Sequence, residues 1–243
     1  MTRATTDSGE AMRCCRGAGL EEKATPGLHK FLLTQVIPRF APTPGRAVDL
    51  GAGSGALTQY LRDRGWDVTG VDRDVGQWRS SAPVVVADLD HNDLPTILGT
   101  GYDLVLAVEI IEHLEAPISF LRAINGLMSP TGIAILTTTN MDSLASRMKF
   151  LLKDKLRMMD ESGDPTHISP IFWDLLNRQY LPRAGLVMAD HRTFPPMGYV
   201  SGRPGYRVLL NGAHRLLGGR MRSGDNLVLV LTPSRRPVMA ADA

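Results

Sequence analysis

The chain has few cysteines, no long apolar run and almost no net charge, and each shortage argues against a class of protein. Its two cysteines, Cys14 and Cys15, are adjacent, so they give neither a disulfide framework nor metal-ligand spacing. No run approaches the roughly 18 apolar residues of a membrane span, and no signal-peptide core is visible. With 27 Lys and Arg against 25 Asp and Glu, global charge gives no reason to expect a nucleic-acid partner. We therefore expect a cytoplasmic protein that neither binds nucleic acid nor enters a membrane.

Metal-binding signatures are also missing from the sequence. There is no H-E-x-x-H stretch, no pair of cysteines at ligand spacing and no acidic cluster. These patterns are the usual sequence marks of zinc and related sites. The sequence therefore predicts no metal ion and no metal-dependent catechol-type mechanism.

The length of 243 residues and the 43% hydrophobic content suit one large α/β domain rather than two. Residues 1–24 are polar and aperiodic, and we expect them to form a disordered leader. The domain would then occupy residues 25–243. Within it we expect a core at 46–140, substrate-side helices and a lid at 141–224, and a last strand at 226–233.

Strand and helix patterns alternate along the expected core. Runs such as "PVVVAD" and "GIAILTTT" are continuous and β-branched, which is typical of strands buried on both faces of a parallel sheet. The expected strands are 47–51, 68–72, 84–88, 102–109, 132–139, 185–194 and 226–232. The expected helices are 25–37, 55–64, 117–128, 143–158 and 169–184. This order predicts a doubly wound, mostly parallel, seven-stranded Rossmann-like sheet with helical lid insertions.

A glycine loop follows the first strand in "VDLGAGSG", where Gly51, Gly53 and Gly55 let the backbone turn sharply next to a helix N-terminus. Such a loop alone also fits a nicotinamide dinucleotide. Three acids lie at or near the ends of three successive expected strands. Asp49 would repel a pyrophosphate but would attract a cation. Asp72 could accept hydrogen bonds from a ribose diol, and Asp88 could contact an adenine edge. A ligand with adenine, ribose and a positive charge but no phosphate is S-adenosylmethionine.

At this point the sequence resembles the class I S-adenosylmethionine-dependent methyltransferases, in a subgroup associated with small-molecule and polysaccharide pathways. "VDLGAGSG", "GVDRD", "ADLDHNDLP" and "YDLVLAVEIIEHLEAP" resemble the successive motifs of that family, and the likeness covers about residues 47–140. The absence of an N-P-P-Y-like stretch after the fourth strand counts against methylation of nucleic-acid bases.

The resemblance implies a cofactor site and a product, S-adenosylhomocysteine. It implies that Asp49, Gly51 and Gly53 border the methionine moiety and that Asp72 binds the ribose. It implies that Asp88 and Leu89 flank the adenine and that Glu109 lies at the lip of the fourth strand. The neighbouring residues Ala52 and Arg73 complete the expected cofactor-binding set.

Two histidines are candidates for catalysis. His113 follows the fourth strand in "EIIEHLE", and His167 precedes an expected helix in "DPTHISPIFWDLL". An imidazole could remove a proton from a weak nucleophile such as a hydroxyl. A structural role in hydrogen bonding or packing is the alternative for each.

The acceptor and the partners are left open by the sequence. The segment from His191 to Gly224 carries six arginines and no acid, which suits an anionic small molecule but equally a solvated loop or an oligomer contact such as a homodimer. The basic amphipathic stretch 143–158 fits a helix over the cleft or one on a membrane surface. We expect O-methylation of a small molecule or sugar-type metabolite. A nicotinamide-dependent oxidoreductase and a non-catalytic cofactor-binding protein remain alternatives.

Overall fold

The computed structural model describes residues 20–161, 163–201, 205, 208, 211–212 and 223–234. These residues build a seven-stranded sheet in the order β3-β2-β1-β4-β5-β7-β6. Its strands are β1 (Arg46–Leu50), β2 (Asp67–Asp72), β3 (Val84–Val86), β4 (Tyr102–Val108), β5 (Met128–Thr139), β6 (Leu186–Phe194) and β7 (Asn226–Pro233). Neighbours pair in parallel from β3 to β5, whereas β7 is antiparallel to both β5 and β6. The expected doubly wound, mostly parallel sheet is confirmed.

Helices cover both faces of this sheet. Four of them are α-helical over their whole length: α2 (Ala56–Arg62), α3 (Leu94–Leu98), α4 (Pro117–Leu127) and α5 (Leu144–Lys153). The helix α1 joins α-helical Leu28–Phe31, π-helical Leu32–Val36 and α-helical Ile37–Phe40, and α6 joins Trp173–Leu175, Leu176–Tyr180 and Leu181–Ala184 in the same manner. Among the helices of the described residues, none is long and apolar enough to cross a membrane.

The strands have apolar side chains on both faces because each face meets a layer of helices. Along β1, Val48 and Leu50 join a core that includes α4 and α6, while Ala47 joins the opposite core formed with α1 and α2. Successive strand residues point to opposite faces, so Asp49 points toward α1 and α2. The strand pattern therefore sets the direction of the one acid buried within β1.

The boundaries of three expected helices were wrong. The first helix begins at Leu28 and continues past Pro38 to Phe40. The helix expected at 143–158 ends at Lys153, where Asp154 adopts a left-handed conformation. The helix expected from Ser169 begins at Trp173, because the Ser169 hydroxyl donates to the Leu114 carbonyl (2.5 Å) instead of capping a helix. A distant acid caps it: the Trp173 N–H donates to Asp142 Oδ2 at 2.7 Å.

The structure also differs from the expected disordered leader in residues 20–24. These residues lie against the glycine loop, where the Ser54 hydroxyl donates to the Glu21 carbonyl at 2.7 Å. Residues 1–19, with both cysteines, lie outside the described part of the chain. The same holds for most of residues 202–222, which fall within the lid expected at 141–224.

Candidate active site at the carboxyl ends of the strands

The carboxyl ends of β1, β2 and β4 meet where the strand order reverses between β1 and β4, the usual ligand position in such sheets. Two adjoining cavities open there. The glycine-loop cavity, about 280 Å³, is lined by Asp49, Gly51, Gly53, Asp72 and Glu109 among others. The β3-side cavity, about 480 Å³, is lined by Arg73, Asp88, Leu89 and Ile110 among others. Gly51, Asp72 and His113 line both cavities, so these residues lie between two parts of one continuous site.

The glycine loop has a backbone that side chains would disrupt. Gly51 adopts φ +74°, and a Cβ there would lie 2.7 Å from Cγ1 of Ile110. Gly53 adopts φ +57° and its N–H donates to Asp72 Oδ2 at 2.7 Å. Ala52 lies between them and lines the glycine-loop cavity. The loop therefore binds its own carboxylate partner through an N–H group that a phosphate-binding loop would keep free for the ligand.

Asp49 lies at the base of the glycine-loop cavity and is only 2% exposed. Its Oδ2 accepts a hydrogen bond from the Thr58 hydroxyl at 2.7 Å. Burial raises the pKa of Asp49 to about 6, and the nearby Asp72 charge acts in the same direction. A bound cation would favour the ionised carboxylate and reverse this shift.

The β3-side cavity contains the other three expected cofactor residues, Arg73, Asp88 and Leu89. Asp88 Oδ1 accepts the Asp90 N–H at 2.9 Å and lies 3.3 Å from Nδ1 of His91. The Asp90 hydrogen bond, with a smaller contribution from His91, lowers the pKa of Asp88 below its usual range. One oxygen of Asp88 therefore shapes the turn after β3 while the side chain still borders the cavity.

Glu109 directly follows β4 and adopts a left-handed conformation, φ +50°. Its carboxylate accepts two hydrogen bonds from Thr25, which lies shortly before α1. The Thr25 N–H donates to Oε2 and the Thr25 hydroxyl to Oε1, both at 2.6 Å. Asn226 Nδ2 in turn donates to the Thr25 hydroxyl oxygen at 2.8 Å. Residues 25, 109 and 226 thus form one polar link that fixes Glu109 at the cavity wall.

The two candidate histidines lie together. Their rings meet edge to face with centroids 4.5 Å apart. His113 lines both cavities, whereas His167 lies beside it and donates its Nδ1–H to the Met158 carbonyl oxygen at 2.9 Å. Burial, followed by the charge of His167, lowers the pKa of His113. The imidazole of His113 is thus favoured in its neutral form beside the cavities.

Sequence reasoning missed three polar residues of this region. Asp164 lines the glycine-loop cavity and lies beside both catalytic candidates, with one potential ligand atom of each of the three residues within 4.8 Å of the others. His29, in α1, is 7% exposed and lines the same cavity. Its Nδ1 has no hydrogen-bond partner among the described residues, and burial lowers its pKa to about 4.

Glu112 is the third missed residue, although it belongs to the quoted "EIIEH" stretch. It is 1% exposed, its Oε1 accepts from the Thr139 N–H at 3.2 Å, and its carbonyl accepts from the N–H groups of Ile168 and Ser169. Burial, with the nearby Glu109 charge, raises its pKa to about 7. Glu112 therefore joins the turn bearing His113 to β5 and to the segment after His167. The sequence alone could not distinguish this buried, connecting role of Glu112 from that of an exposed glutamate, because its partners are distant in the chain.

The arginine-rich stretch lies largely outside the described residues. Arg203, Arg207, Arg215, Arg220 and Arg222 belong to the part that the structure does not describe. Arg192, within β6, has Nε 2.9 Å from Asp190 Oδ2. Its charge is therefore partly matched within its own strand.

The fold and the site together define a class: a doubly wound domain whose ligand cavity is lined by carboxylates at the ends of β1, β2 and β4. Residues 21–186 match the family model described as "Methyltransferase domain". The chain belongs to this methyltransferase family, and the resemblance to class I S-adenosylmethionine-dependent methyltransferases is confirmed. The comparisons give no support to the oxidoreductase alternative.

Curated relatives match the chain over about half of its length. The ubiquinone biosynthesis O-methyltransferase of Ruegeria pomeroyi is 29% identical over 113 residues, which cover 44% of this chain and 46% of the relative. The enzyme of the same name from Aeromonas salmonicida is 30% identical over 130 residues, which cover 50% of this chain and 55% of the relative. The chain thus spans only about half the length of these relatives.

Solved structures match over most of the chain. A SAM-dependent methyltransferase from Archaeoglobus fulgidus aligns with a TM-score of 0.55 and 18% identity over 84% of this chain and 92% of that one. The 1,6-didemethyltoxoflavin-N1-methyltransferase of Burkholderia thailandensis, solved with S-adenosylhomocysteine, aligns with a TM-score of 0.55 and 14% identity over 96% and 93%. At these identities the likeness shows the shared fold.

Proposed function

We propose that the protein transfers a methyl group from S-adenosylmethionine to an oxygen atom of a small molecule. The main observation is the excess of acidic residues around the glycine-loop cavity, whose lining includes six carboxylate side chains, among them Asp49, Asp72 and Glu109, and one lysine. A sulfonium ion and an α-ammonium group are attracted to such a wall, whereas the pyrophosphate of a dinucleotide is repelled. The family to which the chain belongs supports the same reading.

The two cavities accommodate the parts of this cofactor in sequence. We assign the adenine to the β3-side cavity, next to Asp88 and Leu89, with Arg73 at its edge. Asp72, which lines both cavities, is placed to accept the ribose hydroxyls. The methionine part would lie along the glycine loop, from Gly51 to Gly53, toward Asp49 and Glu109. The sulfonium then lies near the wall that Glu109 and His113 share.

Methyl transfer from a sulfonium is an in-line displacement in which the leaving group carries its own activation. The protein must align the two reactants and assist the loss of a proton from a hydroxyl acceptor. We propose that His113, with His167 beside it, activates this hydroxyl. A neutral imidazole nitrogen can take the proton itself or bind an ion that acidifies the hydroxyl.

The acceptor is proposed to be a small metabolite rather than a nucleic acid. The names of the curated relatives support oxygen as the atom methylated, and the absence of an N-P-P-Y-like stretch supports the exclusion of base methylation. The arginines between 192 and 222 support an acceptor that carries a carboxylate or phosphate. We further propose that the protein works in the cytoplasm.

Isothermal titration with S-adenosylhomocysteine, with NADH as the parallel ligand, tests the cofactor assignment. We expect micromolar binding of the first and none of the second. Asp72→Ala should weaken binding by at least about tenfold, since each hydrogen bond to a charged group is worth roughly 1.5–3 kcal/mol. Asp67→Ala removes an exposed carboxylate from the start of the same strand and is the matched control. Binding of NADH alone, or unchanged affinity in Asp72→Ala, would refute the assignment.

A further inference from the structure

We propose that His113, Asp164 and His167 form a binding site for one divalent transition-metal ion at the boundary of the two cavities. The inference deepens the proposed function, because the ion would replace a direct histidine base as the activator of the acceptor hydroxyl. These three residues form a cluster that the sequence does not reveal. Asp164 and His167 follow His113 by 51 and 54 positions in the chain, yet one possible ligand atom of each of the three residues lies within 4.8 Å of the others.

Hydrogen bonds define which imidazole nitrogens are free. The Thr166 hydroxyl lies 2.6 Å from Asp164 Oδ1 and 2.8 Å from His113 Nδ1. Because an ionised carboxylate can only accept, the single hydroxyl proton goes to Asp164, and Thr166 must accept the proton of His113 Nδ1. The Nε2 atom of His113 then carries the free lone pair.

In His167, too, the Nδ1 atom is hydrogen-bonded and Nε2 is left free, although the partner is different. Its Nδ1 lies 2.9 Å from the Met158 carbonyl oxygen, which can only accept, so Nδ1 carries the proton and Nε2 is free. Histidine ligands of metals almost always donate their other ring N–H to a carbonyl, carboxylate or similar group. Both histidines therefore already have the partners that a metal ligand requires.

Asp164 supplies the third ligand and the negative charge. Both of its described side-chain hydrogen bonds, from the Thr166 N–H and hydroxyl, end on Oδ1, which leaves Oδ2 for an ion. A tetrahedral ion with bonds of about 2.1 Å holds its ligand atoms about 3.4 Å apart. One possible ligand atom of each of the three residues already lies within 4.8 Å of the others. Asp164 is exposed and lies in a loop, so rotation about its side-chain bonds can bring Oδ2 toward the two imidazoles.

Two imidazoles and one carboxylate are the donor set of catalytic zinc and non-haem iron sites, which leave a position open. Since His113 and Asp164 line the glycine-loop cavity, that position is available to an acceptor. A hydroxyl bound there loses its proton to solvent more readily. Its oxygen then forms a bond with the methyl carbon, while the carbon–sulfur bond breaks and its electron pair stays on sulfur.

The test uses Co²⁺ and Zn²⁺ alone as probes on the full chain, without an affinity tag. Both cysteines are replaced by serine in every sample, because their thiolates would bind the same ions. We expect one Co²⁺ per chain, with visible d–d absorption, and displacement by Zn²⁺. His113→Asn and His167→Asn should each weaken binding by about 100-fold or more, since loss of a hydrogen-bond partner of a metal ligand alone costs about 10–100-fold. Thr166→Val removes such a partner from His113 and should weaken binding within that range of about 10–100-fold.

His191→Asn is the matched control, because it removes an exposed histidine that contacts Trp173 in the structure. Far-ultraviolet circular dichroism confirms that each variant is folded. No bound Co²⁺, or equal affinity in the two ligand variants and the control, would overturn the proposal. S-adenosylhomocysteine binding is measured on metal-free protein in parallel, so failure of the methyltransferase assignment would be seen separately from failure of the metal site.

Discussion

Replacing Asp49 with Asn should make the ligand-free protein more stable and its cofactor binding weaker. The side chain is 2% exposed, and burial raises its pKa from 3.8 to about 6. The folded state therefore binds the proton more tightly than the unfolded state, and this group's contribution to stability falls as the pH rises from about 4 to 6. Above pH 6 the rise of the pKa from 3.8 to about 6 corresponds to about 3 kcal/mol of destabilisation.

Urea unfolding without ligand at two pH values measures this contribution. Asp49→Asn should exceed the wild type by up to about 3 kcal/mol at pH 8, and by only about 1 kcal/mol at pH 4.5, where the folded carboxylate is protonated. Asp67→Asn, at an exposed position on β2, should show neither effect. An Asp49→Asn variant that is no more stable at pH 8, or whose gain is independent of pH, would refute the reasoning. Calorimetry should show weaker S-adenosylmethionine binding in Asp49→Asn.

Two further perturbations test polar contacts between distant segments of the chain. Arg157→Met should lower the free energy of unfolding by about 3–5 kcal/mol, because the guanidinium pairs with buried Asp225; an unchanged urea midpoint would contradict this. Thr25→Val should cost about 1–2 kcal/mol, because it removes the hydroxyl that bridges Glu109 and Asn226. Thr34→Val is the control, because the Thr34 hydroxyl donates to the exposed backbone carbonyl of Lys30 within the same helix. Thermal unfolding should show a larger loss of stability in Thr25→Val than in Thr34→Val.

The strands were predictable because their signal is local. Continuous apolar runs such as β4 are typical of strands buried on both faces, although β3 lies at the sheet edge and its Val86 is 63% exposed. Asp49 within β1, Asp72 at the end of β2 and Glu109 directly after β4 could be located from these runs. The start of α6 was not predictable, since Ser169 and Pro170 form a local cap signature but Ser169 bonds to Leu114. Asp164 and His29 reach the cavity through contacts across the fold, which no spacing in the sequence reveals.

The position of β7 has a consequence for synthesis on the ribosome. β7 follows β6 in the chain but inserts between β5 and β6. Until residues 226–233 emerge, β5 has an unpaired edge and β6 has no place in the sheet, although the glycine loop is already complete. Exposed strand edges invite pairing with other chains. Nascent chains that stall before residue 226 would thus be the species most prone to aggregate, and the ones on which chaperones would act.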